Sequence, residues 1–280
     1  MSVDDEFDDP TETASLDVAD PLSEGLDSLL SVTGAQLVTL LALIGISSTV
    51  LSQTLFVQIG RDTLEYIRDN FDISQSETQE AVAEMERTIE GMGFGLDVSV
   101  PVLLAGLLVL ALLSEAVMIG AVRAFASSEH DGIPIGLVTR RLPIATLYGF
   151  LGGILLGIAV TVGLVLFIVP GIIVFIGTLF FRQEIAIADK GPVQAISGTW
   201  AVTKGHRWTL LLLIVILGAI GFAASLVPGI IPGNVGLVVS AIVTSVMSVF
   251  SIAVVTDAYV RLSDQPAEAD QVAETSTDML

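Results

Sequence analysis

The sequence contains no cysteine, only two histidines and none of the short motifs that mark common catalytic sites. Without cysteine there are no disulfides, zinc–thiolate sites or cysteine nucleophiles. His206 is more typical of a surface residue beside lipid phosphate than of a metal ligand or a base, and His130 has no histidine partner nearby in sequence. GxSxG, Walker and HExxH sequences are missing, as are aspartates at metal-ligand spacing. We therefore expect no catalytic residues, no metal site, no cofactor and no enzymatic activity.

Basic residues are scarce, at 11 lysines and arginines against 31 aspartates and glutamates. Ten acidic and no basic residues fall within the first 30 positions, and ten more acidic residues lie between Asp62 and Asp97. No stripe of lysine and arginine is present to neutralise phosphates, which excludes nucleic acid as a partner. Acidic side chains hold water where salt shortens the screening length, so this composition predicts a halophilic archaeal source.

Long apolar segments separate the charged ones, and the mean hydropathy is +0.81. Segments of about 20 apolar residues are typical of transmembrane helices. The sequence predicts an all-α, polytopic transmembrane bundle over residues 35–262, between acidic disordered tails at 1–34 and 263–280. The lipid bilayer is therefore an expected partner. The predicted spans cover residues 36–59, 99–122, 142–169, 172–188, 208–227 and 234–260.

The fourth span is short, and the distribution of basic residues tests it. With six spans and a cytoplasmic N-terminus, eight basic residues lie inside and three outside. If residues 172–188 did not cross, the distribution would reverse to three inside and eight outside. The positive-inside rule therefore favours six spans in the cell membrane, with both termini cytoplasmic. No basic segment precedes an apolar one at the N-terminus, so no cleavable signal peptide is predicted.

Two charged segments carry apolar residues at helical spacing. Between the first two spans, residues 61–97 predict an external amphipathic helical hairpin, split near residues 72–76. It either rests on the bundle and the headgroups or presents a surface to a partner. Near the N-terminus, four leucines predict one or two amphipathic turns at the membrane surface. These are Leu22, Leu26, Leu29 and Leu30.

Two carboxylates are candidate intramembrane functional residues. Glu115 lies in the second span, about two turns from its cytoplasmic end, where an unpaired charge is costly. It either forms a structural ion pair, with Arg123 or Arg182, or takes part in transport or proton handling. Asp257 lies late in the sixth span, nearer the interface, and the same two interpretations apply.

Small residues and prolines predict how the helices pack and turn. Gly149, Gly153 and Gly157 form a GxxxGxxxG stripe, which predicts close helix packing either within the chain or in a homodimer. The sequence VPGII occurs twice, after the third and fifth spans. We expect Pro170 with Gly171, and Pro228 with Gly229, to form two similar hairpin turns. The following segments are FFRQEIAIADKGPVQAISGTWAVTKGHRW and, at the end of the sixth span, VVTDAYVRL.

In these segments, residues 142–262 resemble a broad family of multi-pass membrane proteins, haloarchaeal ones among them. The family is similar to the membrane domain found with some glycerophosphodiester phosphodiesterases. The matching pieces are residues 186–191, 195–197 with 204–205, and 259–261. The resemblance implies a six-helix membrane domain and supplies no catalytic residues, because the phosphodiesterase chemistry belongs to a separate soluble domain.

Two functions remain open from the sequence. We expect a non-enzymatic scaffold or accessory protein of the cell membrane, with a membrane-protein partner or a second copy of the chain. The alternative is a small-solute or ion transporter that uses Glu115. Flux through a Glu115→Gln variant distinguishes the two hypotheses.

Overall fold

Helices make up all the regular structure in the parts of the chain that can be described. The structure is a computed structural model, and it describes residues 16–71, 76–91, 96–127 and 132–278. In chain order the helices are α1 Ala19–Leu30, α2 Val32–Asn70, α3 Ser76–Gly91, α4 Val100–Phe125, α5 Ile135–Val138, α6 Leu142–Leu166, α7 Ile168–Gly177, α8 Phe181–Ala186, α9 Pro192–Val202, α10 Arg207–Gly229 and α11 Gly233–Asp278.

Six segments are long and apolar enough to cross a membrane, which confirms the predicted polytopic helical bundle. They are Val32–Asn70, Val100–Phe125, Leu142–Leu166, Ile168–Ala186, Arg207–Gly229 and Gly233–Asp264. The fourth combines α7 and α8 across a break at residues 178–180. Leucines and valines are exposed along α4, α6 and α10. Such exposed apolar surfaces are typical of helices that face lipid rather than water.

The core forms where α4, α8 and α11 meet the other spans. One cluster joins α2, α4, α8 and α11 through residues such as Leu37, Ile119, Ile185 and Val249. A second cluster joins α7, α10 and α11, and it includes Leu210, Leu213 and Val254. The α8 segment therefore lies in the middle of one half of the bundle; Glu184 on it is buried, and Arg182 is partly buried.

The helix of the first span, α2, continues beyond its charge-free part. Its charge-free part, residues 32–60, is followed by Arg61 and nine further helical residues. At 1.5 Å per residue those ten residues extend about 15 Å beyond the charge-free part. Helix α3 packs back on them through Val57, Leu64 and Ile89, and Arg68 forms an ion pair with Glu86. The predicted amphipathic hairpin is thus confirmed; the predicted split falls mostly on residues 72–75, outside the described residues, as do Met92, Gly93 and Gly95 of the following loop.

The described part of the predicted N-terminal tail is mostly helical rather than disordered, and the amphipathic turns predicted around Leu26 lie in this helix. Helix α1 occupies residues 19–30 and packs along the end of α11, where Gly25 contacts the backbone of Val254. Leu22 and Leu29 pack into the core, whereas Leu26 and Leu30 are exposed. At the other end, α11 continues as a helix to Asp278. The sequence did not predict the complete helix α1, because that segment has several acidic residues and fewer apolar residues than a span. Residues 1–15 of the predicted tail lie outside the described residues.

The two VPGII segments do not form similar turns, so that prediction is wrong. Pro170 and Gly171 lie in the first turn of α7, and the chain reverses one turn earlier, at the extended Phe167. Proline fits there because the first-turn amides have no helical acceptor. Gly171 lets α7 contact the backbone of Gly163 and Leu164 in α6. Pro228 and Gly229 instead end α10, and the chain reverses after them, before the left-handed Gly233 at φ 71°.

Candidate functional site

Glu115 and Arg182 form a two-bonded ion pair that joins the second and fourth spans. Nε and Nη2 of Arg182 donate to the two carboxylate oxygens of Glu115, at 2.9 and 3.0 Å. Glu115 is 8% exposed, and Arg182 lies in the first turn of α8. Such paired geometry compensates a carboxylate in a low-dielectric environment. The ion pair that the sequence predicts for Glu115 is therefore present, with Arg182 as its partner rather than Arg123.

The glycine-rich face of α6 contacts this pair at only one of the three predicted positions. A Cβ built on Gly149 would lie 3.2 Å from the carboxylate carbon of Glu115 and 3.2 Å from Cδ1 of Ile119. A Cβ on Gly153 or Gly157 would meet nothing within 4 Å. The neighbouring Gly152, outside the predicted stripe, packs on the ring of Phe181. Close packing within the chain is wrong for Gly153 and Gly157, and the homodimer interpretation stays a prediction.

Arg123 is buried at the end of α4 and holds three chain segments together. Its Nε donates to the carbonyl of Ala186 at 2.8 Å, and Nη1 donates to the carbonyls of Val138 and Arg140 at 3.0 and 2.5 Å. Asp189, whose backbone is left-handed at φ 52°, lies 3.5 Å from Nη2 and also pairs with Arg140. The side chain of Arg123 is 3% exposed, so these contacts replace its water.

A break in the fourth span positions a second enclosed pair, between Glu184 and Lys190. Residues 178–180 separate α7 from α8, and the amide of Phe180 donates to the hydroxyl of Thr199 in α9 at 3.0 Å. Glu184 is 1% exposed, and Nζ of Lys190 lies 2.5 Å from its Oε2. A Cβ on Gly198 would lie 2.7 Å from Cδ of Glu184. Thr199 and Gly198 of α9 thus stabilise the broken helix and leave space for its carboxylate.

Asp257 forms an ion pair with Arg261 on the same helix. Its Oδ2 accepts from Nε of Arg261, one helical turn later, at 2.6 Å. Nη1 of Arg261 also lies 3.4 Å from Oδ2 of Asp20 on α1. The three residues fix α1 against the end of α11. The sequence could not reveal Asp20, because it is one of many acidic residues near the N-terminus.

A cavity of about 480 Å³ lies between α4, the broken fourth span, α10 and α11. Its walls combine apolar residues with hydroxyls, and Arg182 and Gln183 line the end beside α8. A second cavity, of about 430 Å³, lies between α2, α4 and α11. The two share the wall residues Met118, Ser240, Thr244 and Ser248. The serines and threonines of α11 look like ordinary small packing residues in the sequence, and only the fold places them around a space.

Gln183 is the polar residue of the cavity that sequence reasoning missed. It is 3% exposed, its amide nitrogen lies 3.5 Å from the hydroxyl of Thr256, and its Oε1 has no hydrogen-bond partner among the described residues. Its position beside Arg182 and Glu184 in an interrupted span is the only sequence signal that could have indicated it. Within the described ranges no three histidine, aspartate or glutamate side chains are grouped closely enough to hold a metal ion.

The six spans and the enclosed ion pairs define a multi-pass α-helical membrane protein. The chain belongs to the family described as Domain of unknown function (DUF7847), which it matches over residues 16–262. No curated protein matches the chain, and no solved structure matches it either. The family match includes α1, which agrees with the packing of that helix on the bundle. The resemblance to the membrane domain found with glycerophosphodiester phosphodiesterases and the halophilic source both stay predictions.

Proposed function

We propose that the chain is a non-enzymatic accessory or scaffold protein of the cell membrane, with both termini in the cytoplasm. In this proposal the hairpin formed by the end of α2, residues 56–70, and by α3 binds a membrane-protein partner on the outer side. The single observation that carries the proposal is the partly apolar surface of this hairpin.

The hairpin is fixed by its own contacts and still leaves apolar side chains uncovered. Val57, Leu64 and Ile89 are buried between α2 and α3. Beside them a groove of about 590 Å³ is lined by Phe56, Ile59, Met85 and their neighbours. Phe56 is 59% exposed and Ile59 52% exposed. An apolar groove with an acidic residue in its lining supports partner binding, because a partner would cover the exposed apolar surface.

The groove spans the end of the charge-free part of α2, with Phe56 and Ile59 before Gly60 and Thr63 after it. An occupant would therefore contact both the membrane boundary and the projecting helices. A membrane-protein partner satisfies both conditions, and a second copy of this chain is the homodimer form of the same proposal. Glu84 lines the groove and favours a partner with a basic residue at its membrane boundary.

A photo-crosslinking residue at Met85 tests the proposal in native membranes. The matched control is the same residue at Leu155, which is 66% exposed on α6 and distant from the hairpin in sequence. We expect one discrete protein adduct from Met85 and only lipid adducts from Leu155. A crosslinked product of twice 29.3 kDa identifies a second copy of the chain. The same pattern of adducts from both positions contradicts docking at the hairpin.

A second candidate function, a small-solute or ion transporter using Glu115, has one observation in its favour. Arg182, the partner of Glu115, lines the hydroxyl-containing cavity between the spans. Solute flux in proteoliposomes tests this alternative. Loss of flux in a folded Glu115→Gln variant supports it, and unchanged flux removes Glu115 from the transport mechanism.

A further inference from the structure

The cavity between α4, the broken fourth span, α10 and α11 has polar groups, at the end beside α8, for which the described ranges supply no hydrogen-bond partner. Gln183 is 3% exposed and lines the cavity, yet its Oε1 has no partner among the described residues. A buried polar atom without a partner is costly, so such atoms in a native protein call for an explanation. A bound molecule that donates a hydrogen bond supplies one.

Arg182 provides the complementary group at the same end of the cavity. Its Nε and Nη2 bind Glu115, and the described part of the chain shows no hydrogen bond for Nη1. An occupant would therefore meet one cationic donor, from Arg182, and one neutral acceptor, from Gln183. Hydroxyl groups continue this lining along α11, among them those of Ser251, Ser248 and Thr244 on one face of the helix.

The interruption of the fourth span lies at this end of the cavity. Leu179, in the break between α7 and α8, is one of the lining residues. Non-helical backbone at membrane depth is tolerated only where protein buries it or where it lines a cavity. Discontinuous spans in membrane proteins place backbone and side-chain groups around bound solutes. The break, the uncompensated amide and the cavity thus coincide in one place.

We propose that this cavity binds a small, net-neutral solute that both donates and accepts hydrogen bonds. The occupant donates to Gln183 and accepts from Arg182. Net neutrality follows from the Glu115–Arg182 pair, whose charges cancel, because a charged occupant would remain uncompensated in a low-dielectric environment. A small zwitterion and a small polyol share this chemistry. The proposal goes beyond the accessory function and does not depend on it.

Ligand-observed NMR on the purified full chain in nanodiscs tests the proposal with four probes. Glycine represents a zwitterion that donates, and glycerol represents a polyol. N,N,N-trimethylglycine is a zwitterion without a donor, and acetate carries a net charge. We expect saturation transfer to glycine, to glycerol or to both, which distinguishes the two sources, and none to trimethylglycine or acetate. No transfer to glycine or glycerol, or equal transfer to trimethylglycine, overturns the proposal.

Two variants locate the binding. Gln183→Met keeps the side-chain length and removes the acceptor, and we expect about tenfold weaker binding, the effect of one hydrogen bond to a buried group. The control is Gln194→Met, at an exposed glutamine of α9. If Gln183→Met fails to fold, Ser248→Leu fills the cavity from α11 and should abolish binding, with Ser52→Leu on the exposed side of α2 as its control. Unchanged binding in either cavity variant, once it is shown to be folded, overturns the proposal. The measurement contains no partner protein, so its failure is independent of the accessory function.

Discussion

The carboxylate of Glu115 occupies the space that a side chain at Gly149 would take. A Cβ at that position would lie 3.2 Å from the carboxylate carbon, while Arg182 holds both carboxylate oxygens from the opposite helix. The absence of a side chain on α6 and the ion pair between α4 and α8 are therefore parts of one arrangement. This arrangement gives Gly149 a different role from Gly153, although both belong to the same sequence motif.

We expect Gly149→Ala to destabilise the protein and Gly153→Ala to leave its stability nearly unchanged. The added methyl group at Gly149 forces the Glu115 carboxylate to move, and overpacking of this kind costs about 1 to 3 kcal/mol. At Gly153 nothing lies within 4 Å of the new Cβ. Thermal unfolding in detergent, followed by circular dichroism, measures both variants. Equal melting temperatures for the two variants would contradict the placement of Glu115 against α6.

A double-mutant cycle on Glu115 and Arg182 should show strong coupling. Each single variant, Glu115→Gln or Arg182→Gln, leaves one charge without its partner; the Glu115 side chain is 10% exposed and that of Arg182 34%. We expect the double variant to be more stable than the sum of the single effects predicts, with a coupling energy of about 0.5 to 3 kcal/mol. Thermal unfolding of the four proteins provides the cycle. Additive effects would mean that the two side chains do not interact in the folded protein.

The Glu184–Lys190 pair should be sensitive to a methyl group on α9. In Gly198→Ala the new Cβ would lie 2.7 Å from Cδ of Glu184 and 2.8 Å from Nζ of Lys190. The buried carboxylate must then move away from its partner, so we expect a melting temperature lower by several degrees. Gly191→Ala, at an open position just before α9, is the matched control. If both variants melt together, α9 does not enclose Glu184.

The length of the apolar segments predicted the six spans, and apolar periodicity predicted the α2–α3 hairpin. Periodicity also indicated helical turns near the N-terminus, but not the docking of α1, which depends on Gly25 and on an ion pair between residues far apart in sequence, Asp20 and Arg261. Proline and glycine did not distinguish the two VPGII segments, since Pro170 lies in the first turn of α7 and Pro228 in the last turn of α10. For the site, the cost of a buried charge indicated Glu115. The cavity and Gln183 were not predictable, because they arise from contacts between distant spans.

Docking of α1 should depend on the absence of a side chain at Gly25. A Cβ there would lie 3.1 Å from the amide nitrogen and 3.2 Å from Cα of Val254, and backbone atoms cannot move aside as a flexible side chain can. In Gly25→Ala we expect faster hydrogen exchange over residues 19–30 and little change in α4. Gly136→Ala, at an open position, serves as the control. Unchanged protection of α1 in Gly25→Ala would contradict its close contact with α11.

The absence of cysteine makes the proposed orientation directly measurable. Thr88 lies on α3 of the projecting hairpin, and Ser197 lies on α9; both side chains are exposed. With six spans and cytoplasmic termini, single cysteines at these positions fall on opposite sides of the membrane. We expect a membrane-impermeant maleimide to label Thr88→Cys in intact cells and to label Ser197→Cys only after permeabilisation. The reverse pattern would place both termini outside and invert the positive-inside assignment. Labelling of both variants in intact cells would show that the fourth span, Ile168–Ala186, does not cross the membrane.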